Sequence, residues 1–88
     1  MSFIKELTVI IPLYNKEKYI ARAVNSVLNQ SYSNFELIII NDGSTDNGAN
    51  KVQKIKDNRI KIIHQHNQGV PKARNRGIKE AKAKLIAF

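Results

Sequence analysis

The residues of this 88-residue chain that could do chemistry fall into three short stretches, each placed after an apolar run. Pro12-Leu13-Tyr14-Asn15 sets a rigid proline beside an aromatic ring able to stack on a flat base, although the same residues suit an ordinary strand-to-helix turn. Asn41-Asp42-Gly43-Ser44-Thr45-Asp46 offers carboxylates that can accept an amide or imide N–H, with Gly43 free to bring backbone close or to take a positive φ. The same stretch also fits a capping loop in which Asp42, Ser44 and Asp46 bond only local N–H groups. Residues 64–77 deliver Lys72, Arg74 and Arg76 next to Pro71, which suits a first helical turn. Cations and free backbone N–H groups at a helix start suit a diphosphate or a sugar nucleotide. His64 and His66 could share a strand face as metal ligands, but no third ligand is evident and a surface role fits them better. The glycines and lysine of a Walker loop or a Rossmann fingerprint are absent, and no Ser/His/Asp or Cys/His nucleophile constellation stands out.

The elements that must carry these stretches alternate. Residues 7–12 read as a buried strand stopped by Pro12, and 36–41 as a second one stopped by Asp42-Gly43-Ser44. Between them Tyr19, Ile20, Ala23, Val24, Val27 and Leu28 mark one stripe of a helix. Thr45 and Asp46 are candidate caps for a short helix with Ala49, Val52 and Ile55 inward. Residues 60–64 predict a third strand, and Ala73, Gly77, Ile78 and Ala81 the inner face of a third helix; 85–88 begin a fourth strand. A glycine inside a helix costs about 1 kcal/mol against alanine, so Gly77 points to a close helix–sheet contact. The β-α-β-α-β-α-β order with short connections predicts an α/β fold with a parallel Rossmann-like sheet. Ligands of such sheets lie beyond the carboxyl ends of the strands, where all three stretches fall.

Composition narrows the function classes. The chain is 42% hydrophobic, which implies one small globular domain with a thin core. No apolar run approaches the roughly 20 residues of a membrane span, and no signal-peptide pattern follows Met1. Without cysteine there is neither a disulfide framework nor a thiolate metal site, which fits a reducing compartment. The net charge of +8 is uneven, since residues 1–50 sum to −1 and residues 51–88 to +9. Such asymmetry asks for an anionic partner: nucleic acid, an acidic lipid surface or a phosphate-bearing small molecule. A basic nucleic-acid-binding module is the weaker alternative, because no aromatic residue lies between Phe35 and Phe88 to interleave with the cations.

Read in order, five blocks resemble the family 2 glycosyltransferases, which have the GT-A nucleotide-diphospho-sugar transferase fold. They are Val9-Ile10-Ile11-Pro12-Leu13-Tyr14-Asn15, Ser26-Val27-Leu28-Asn29-Gln30-Ser31-Tyr32, the run from Glu36 through Asp42-Gly43-Ser44 to Asp46, the run from Gly69 to Gly77, and Leu85-Ile86-Ala87-Phe88. The resemblance implies that Pro12 and Tyr14 contact the nucleotide base, Tyr14 by stacking, and that Asp42 accepts the imide N–H of uracil. Arg74 would sit by the base or the diphosphate. Asn41 stands where the family more often has Asp, and Pro71 where Ser is frequent.

In the family the fourth strand runs into an Asp-x-Asp motif that holds Mg²⁺ or Mn²⁺, with the acceptor half and the general base further on. Residues 1–88 are therefore expected to be the N-terminal nucleotide-binding part of a glycosyltransferase domain, truncated before that motif. Such a part would bind a UDP-sugar, hold no metal by itself and be inactive alone. The whole enzyme would transfer the sugar with inversion to a saccharide or lipid-linked saccharide, in polysaccharide biosynthesis. The resemblance implies a cytoplasmic protein with no nucleic-acid partner, placed where a peripheral contact with the inner face of the membrane is open to it. It also sets strand 1 between strands 2 and 4. With strand 4 so short, the C-terminal sheet edge is expected to drive self-association.

Overall fold

Three isoleucine-rich runs form the long strands of a parallel sheet, because β-branched side chains pack well on a pleated surface buried on both sides. The computed structural model describes residues 5–83 and 85–88. Its elements are β1 (Leu7–Leu13), α1 (Ile20–Leu28), β2 (Phe35–Asp42), α2 (Gly48–Gln53), β3 (Ile60–Gln65), α3 (Val70–Glu80) and β4 (Leu85–Ala87). The sheet order is β3-β2-β1-β4 with every pairing parallel, so β1 lies between β2 and β4 as expected. This is the Rossmann-like arrangement the alternating pattern called for.

The two-residue period of the strands divides the core into two layers. Val9, Leu13, Phe35, Leu37 and Ile39 face α1 and α2 and pack with Ile20, Val24 and Val52. Ile10, Ile38, Ile40 and Ile63 face α3 and pack with Ala73. Gly77 explains how α3 comes so close. A Cβ built there would stand 2.5 Å from Cγ2 of the fully buried Ile10. The helix lies directly on the sheet, and only glycine leaves room for it.

The N-terminal end of that same face carries a polar latch. Glu36 Oε2 accepts from the Thr8 hydroxyl at 2.6 Å and from the Lys82 N–H just past α3 at 2.7 Å. Burial pushes the Glu36 carboxyl up, but the bonds from Thr8, Lys82 and Ala83 outweigh it and leave it below its ordinary value.

Several boundaries differ from the sequence reading. Pro12 does not stop β1; it pairs opposite Ile40 inside the strand. β4 reaches along β1 only as far as Val9, so Pro12 lies where β1 is an edge strand and a missing N–H is tolerated. Tyr19 precedes α1 and is exposed, and Ala23 faces solvent, so the inward stripe is Ile20, Val24, Val27 and Leu28. Thr45 and Asp46 do not occupy the cap of α2, which falls to Asn47 without a side-chain bond. Ile78 is 43% exposed, because α3 turns only Ala73 and Gly77 fully to the sheet. β4 is three residues long, and it leaves Leu85 64% and Phe88 60% exposed at the sheet edge.

Candidate functional site

The strand order reverses direction at β1, since β2 and β3 extend the sheet one way and β4 the other. Such a switch point opens a crevice beyond the carboxyl ends of the strands. Three loops meet there. The loop after β1 and the loop after β2 are tied together by Asn15, a non-glycine residue in the left-handed region at φ 50°. Asparagine tolerates that region because its short amide bonds locally. Its Oδ1 accepts from the Thr45 N–H at 2.8 Å, and its own N–H donates to Ser44 Oγ at 3.1 Å. Asp46 makes a second tie, accepting from the N–H of Glu17 at 3.1 Å and of Gly48 at 3.0 Å. Ser44 is held from behind as well, its N–H donating to Asn41 Oδ1 at 3.1 Å. With its oxygen so used, Asn41 turns its amide nitrogen to His64 Nδ1 at 3.0 Å, which makes that ring nitrogen the acceptor.

The third loop, between β3 and α3, is folded around Asp42. This carboxylate ends β2 on the α3 face and is only 2% exposed. Oδ1 accepts from Gln65 Nε2 at 2.8 Å and from the Gln68 N–H at 2.9 Å. Oδ2 accepts from the Gly69 N–H at 3.0 Å and from Asn67 Nδ2 at 3.4 Å. Burial pushes the carboxyl up, yet the bonds from Gln65, Gln68 and Gly69 together hold it below its ordinary value. Gly43 is the counterpart on the other side. Its φ is 75°, and a Cβ there would meet the Asn67 backbone nitrogen at 2.7 Å, so loop closure needs glycine twice over.

The four expected site residues are therefore not equivalent. Pro12 and Tyr14 stand at the end of β1, with Tyr14 44% exposed and free to offer its ring. Asp42 is beneath the loops, already bonded to four donors of its own chain. Arg74, early in α3, is exposed and leans toward the β4 side, its guanidinium 5.4 Å from the centroid of the Phe88 ring. Arg76 lies on the other flank, half-buried. With Gly43 and the segment 64–68 it lines an open hollow of about 660 Å³. Lys72, Asn75 and Lys79 continue that flank beside Gln65 and Gln68. Sequence reasoning missed Asn15 and Gln65 as organisers of the site. Asn15 could have been suspected from an asparagine directly after a strand end, whereas nothing local marks Gln65.

The acidic side chains at these loops do not fit a divalent cation. Asp42 and Asp46 are satisfied by N–H groups, and among the described residues no three of His, Cys, Asp and Glu come together as ligands.

Comparison with known proteins places this geometry. The family model described as Glycosyl transferase family 2 matches residues 8–88, which takes in all three loops and the strands from the second residue of β1 onward. The chain belongs to glycosyl transferase family 2. Among curated relatives of this family, an uncharacterized glycosyltransferase of Rickettsia bellii is 45% identical over 84 residues, covering 94% of this chain and 12% of the relative. Glycosyltransferase GlyG of Streptococcus pneumoniae serotype 4 is 40% identical over 85 residues, covering 93% of this chain and 28% of GlyG. The chain thus spans a minor part of the relatives it matches. Among solved structures, S. aureus TarS 1–349 superposes with a TM-score of 0.84 at 34% identity, over 92% of this chain and 26% of that one. The mannosyltransferase PcManGT of Pyrobaculum calidifontis, solved with GDP-Man and Mn²⁺, gives a TM-score of 0.86 at 22% identity, again over 92% of this chain and 26% of the other. That second likeness concerns the fold. Among the described residues of this glycosyltransferase chain, no helix is long and apolar enough to cross a membrane.

Proposed function

We propose that these residues form the nucleotide-binding part of an inverting glycosyltransferase and take the nucleoside diphosphate of a sugar donor, with uridine as the base. The observation that carries this reading is the set of three loops locked together at the switch point of a parallel sheet in a family 2 chain. Tyr14 offers an exposed ring for the base, Pro12 backs it, and Arg74 supplies a cation without a carboxylate partner among the described residues. The GDP-Man bound by the Pyrobaculum mannosyltransferase supports a nucleotide sugar as the ligand class, while leaving guanine as the rival base. In the whole enzyme, the oxygen of an acceptor hydroxyl bonds to the anomeric carbon as the bond from that carbon to the diphosphate oxygen breaks. The diphosphate leaves with the bonding electrons, and the hydroxyl proton passes to a base. The acceptor in this reading is a saccharide or lipid-linked saccharide on the cytoplasmic side of a membrane.

Calorimetric titration of the chain with UDP, GDP and ADP tests the reading. UDP should bind more tightly than the other two, and equal affinities would remove uridine specificity. A steep loss of all binding with salt, accompanied by retention of nucleic acid, would favour a polyelectrolyte surface instead. For the 88 residues on their own, the exposed Leu85 and Phe88 beside the three-residue β4 support pairing with a second copy along that edge. Sedimentation across a concentration series should show it, and a monomer at every concentration would refute it.

A further inference from the structure

Tyr14 carries the exposed ring on which the proposed base contact depends, and one side chain of the neighbouring loop holds the backbone on both sides of it. The Ser44 hydroxyl donates to the Leu13 carbonyl at 3.3 Å and accepts from the Asn15 N–H at 3.1 Å. Leu13 and Asn15 are the residues immediately before and after Tyr14. Leu13 is fully buried and ends β1, so it gives this bracket a fixed point. Asn15 sits at φ 50°, a left-handed conformation that a non-glycine residue keeps only when its surroundings hold it. Ser44 Oγ and the Thr45 N–H are what hold it.

Ser44 is itself placed by a row of residues that crosses the sheet. Leu13 pairs with Asn41 across β1 and β2, and Asn41 pairs with His64 across β2 and β3. Asn41 Oδ1 accepts from the Ser44 N–H at 3.1 Å, while its amide nitrogen donates to His64 Nδ1 at 3.0 Å. The amide cannot turn over without giving up both partners, because the turned NH₂ would face the Ser44 N–H, donor against donor. His64 thus fixes which way Asn41 points, Asn41 fixes Ser44, and Ser44 fixes the chain around Tyr14.

We infer that Ser44 is a positioning residue for base binding: its hydroxyl brackets Tyr14 and sets the ring in place before a nucleotide arrives, with Asn41 and His64 as its supports. The inference deepens the proposed function and rests on its assignment of the Tyr14 ring to the base. A ring on a loose strand end has to be ordered at the moment of binding, which lowers affinity; a ring held beforehand avoids most of that loss. The benefit reaches only the part of a ligand that touches Tyr14. A nucleotide should feel the loss of the bracket, whereas a ligand without a base should not.

Calorimetric titration of the 88-residue chain with UDP and with inorganic pyrophosphate reads this split. Ser44→Ala removes both bonds to the residues around Tyr14 and keeps the backbone N–H that Asn41 accepts. It should weaken UDP roughly fivefold and leave pyrophosphate where it was. In a Tyr14→Ala background the same substitution should change UDP no further, because the bracket acts only through the ring. Asn41→Leu, which strips Ser44 of its support, should show the same split by a smaller factor. Asn41→Asp keeps an oxygen for the Ser44 N–H and should retain UDP binding. Its second oxygen would face His64 Nδ1 and draw a proton there, which the nitrogen NMR shifts of the ring register against the bare Nδ1 of the wild type. These two Asn41 variants decide the matter should Ser44→Ala not fold. Equal losses of UDP and pyrophosphate on Ser44→Ala would mean that the serine serves the loops as a whole, and an undiminished UDP affinity would mean that Tyr14 needs no bracket; either overturns the inference. A further loss in the Tyr14→Ala background would overturn it as well. A Tyr14→Ala chain that binds UDP as the wild type does, or a wild type that binds neither probe, would instead bring down the donor-binding reading, and the inference with it.

Discussion

The two faces of the sheet are held by different forces. Among the described residues, the face under α1 and α2 is an apolar layer of eight buried side chains, with a further eight partly buried ones packed around it. The face under α3 has, among the described residues, five buried apolar residues and one partly buried apolar neighbour, Ala81. What it lacks in apolar area it makes up at its ends, through Asp42 and Glu36. Apolar burial is non-directional and tolerates sliding, whereas hydrogen bonds to a charged group fix a register. The better-covered face supplies stability, and the thinner face supplies position. It is the thinner face that carries Arg74.

The comparison breaks most visibly at adjacent residues of β2. Ile39 and Ile38 are both fully buried, but they point to opposite faces. Large-to-small changes at such sites cost about 2–5 kcal/mol, depending on how far the surroundings collapse into the cavity. Ile39→Ala should fall at the upper end of that range, because both α1 and α2 cover its layer. Ile38→Ala should fall lower, since α3 can settle toward it. Urea unfolding of both variants measures the difference, and equal losses would mean the faces are equally packed.

Gly77→Ala is the next largest. The added methyl would have to displace Ile10, whose Cγ2 and Cδ1 would stand 2.5 and 2.9 Å away. Overpacking of this kind costs about 1–3 kcal/mol, offset in part by the better helix propensity of alanine. Thermal unfolding should register a net loss. A neutral or stabilising result would show that α3 is free to lift, and that its end clamps are weaker than their geometry implies.

How much of this was legible beforehand follows the same division. Strand runs and the parallel order could be read from the isoleucine clusters and the short connections, because apolar periodicity is a local signal. Gly77 was also legible, since a glycine amid helix formers needs a packing reason. The polar ties were not. Asp42 meets Gln68 and Gly69 across more than 25 residues, and nothing in Asn41-Asp42-Gly43 says whether the carboxylate faces a ligand or its own chain. Pro12 misled for a similar reason: whether a proline ends a strand depends on what lies alongside it, here the end of β4 at Val9.

Acid should separate the faces in solution. The carboxyls of Asp42 and Glu36 both lie below their ordinary values in the folded chain. The unfolded chain therefore binds more protons, and the stability these groups add is complete above about pH 4–5. It is lost as the pH falls through their lower folded values. Asp57, held at about 2 by Arg59, keeps its charge further into the acid range and with it the turn before β3. Amide exchange, corrected for intrinsic rates, should show α3 losing protection on acidification before α1 does. Simultaneous loss would mean the charged clamps do not govern α3 separately.

The smallest expected effect lies on the two flanks of α3 and sharpens the comparison furthest. Lys72, Arg76 and Lys79 share the flank beside Gln65 and Gln68 and bring three of the cations of the C-terminal half together there. Arg74 points the other way, over the Phe88 ring at the β4 side, which is where the strand order reverses. If the diphosphate lies at that switch point, Arg74→Ala should weaken UDP binding more than Arg76→Ala or Lys79→Ala does. A cation over an aromatic face at an exposed site is worth about 0.5–1 kcal/mol. Phe88→Leu, which keeps the apolar bulk and removes the ring, should therefore weaken UDP by only about two- to fivefold through looser placement of Arg74. In an Arg74→Ala background the same substitution should change nothing further, because the two residues act as one unit. Additive losses would mean that Phe88 serves the fold rather than the guanidinium, and equal losses for all three cations would mean that the thinner face presents a diffuse charge instead of a placed one.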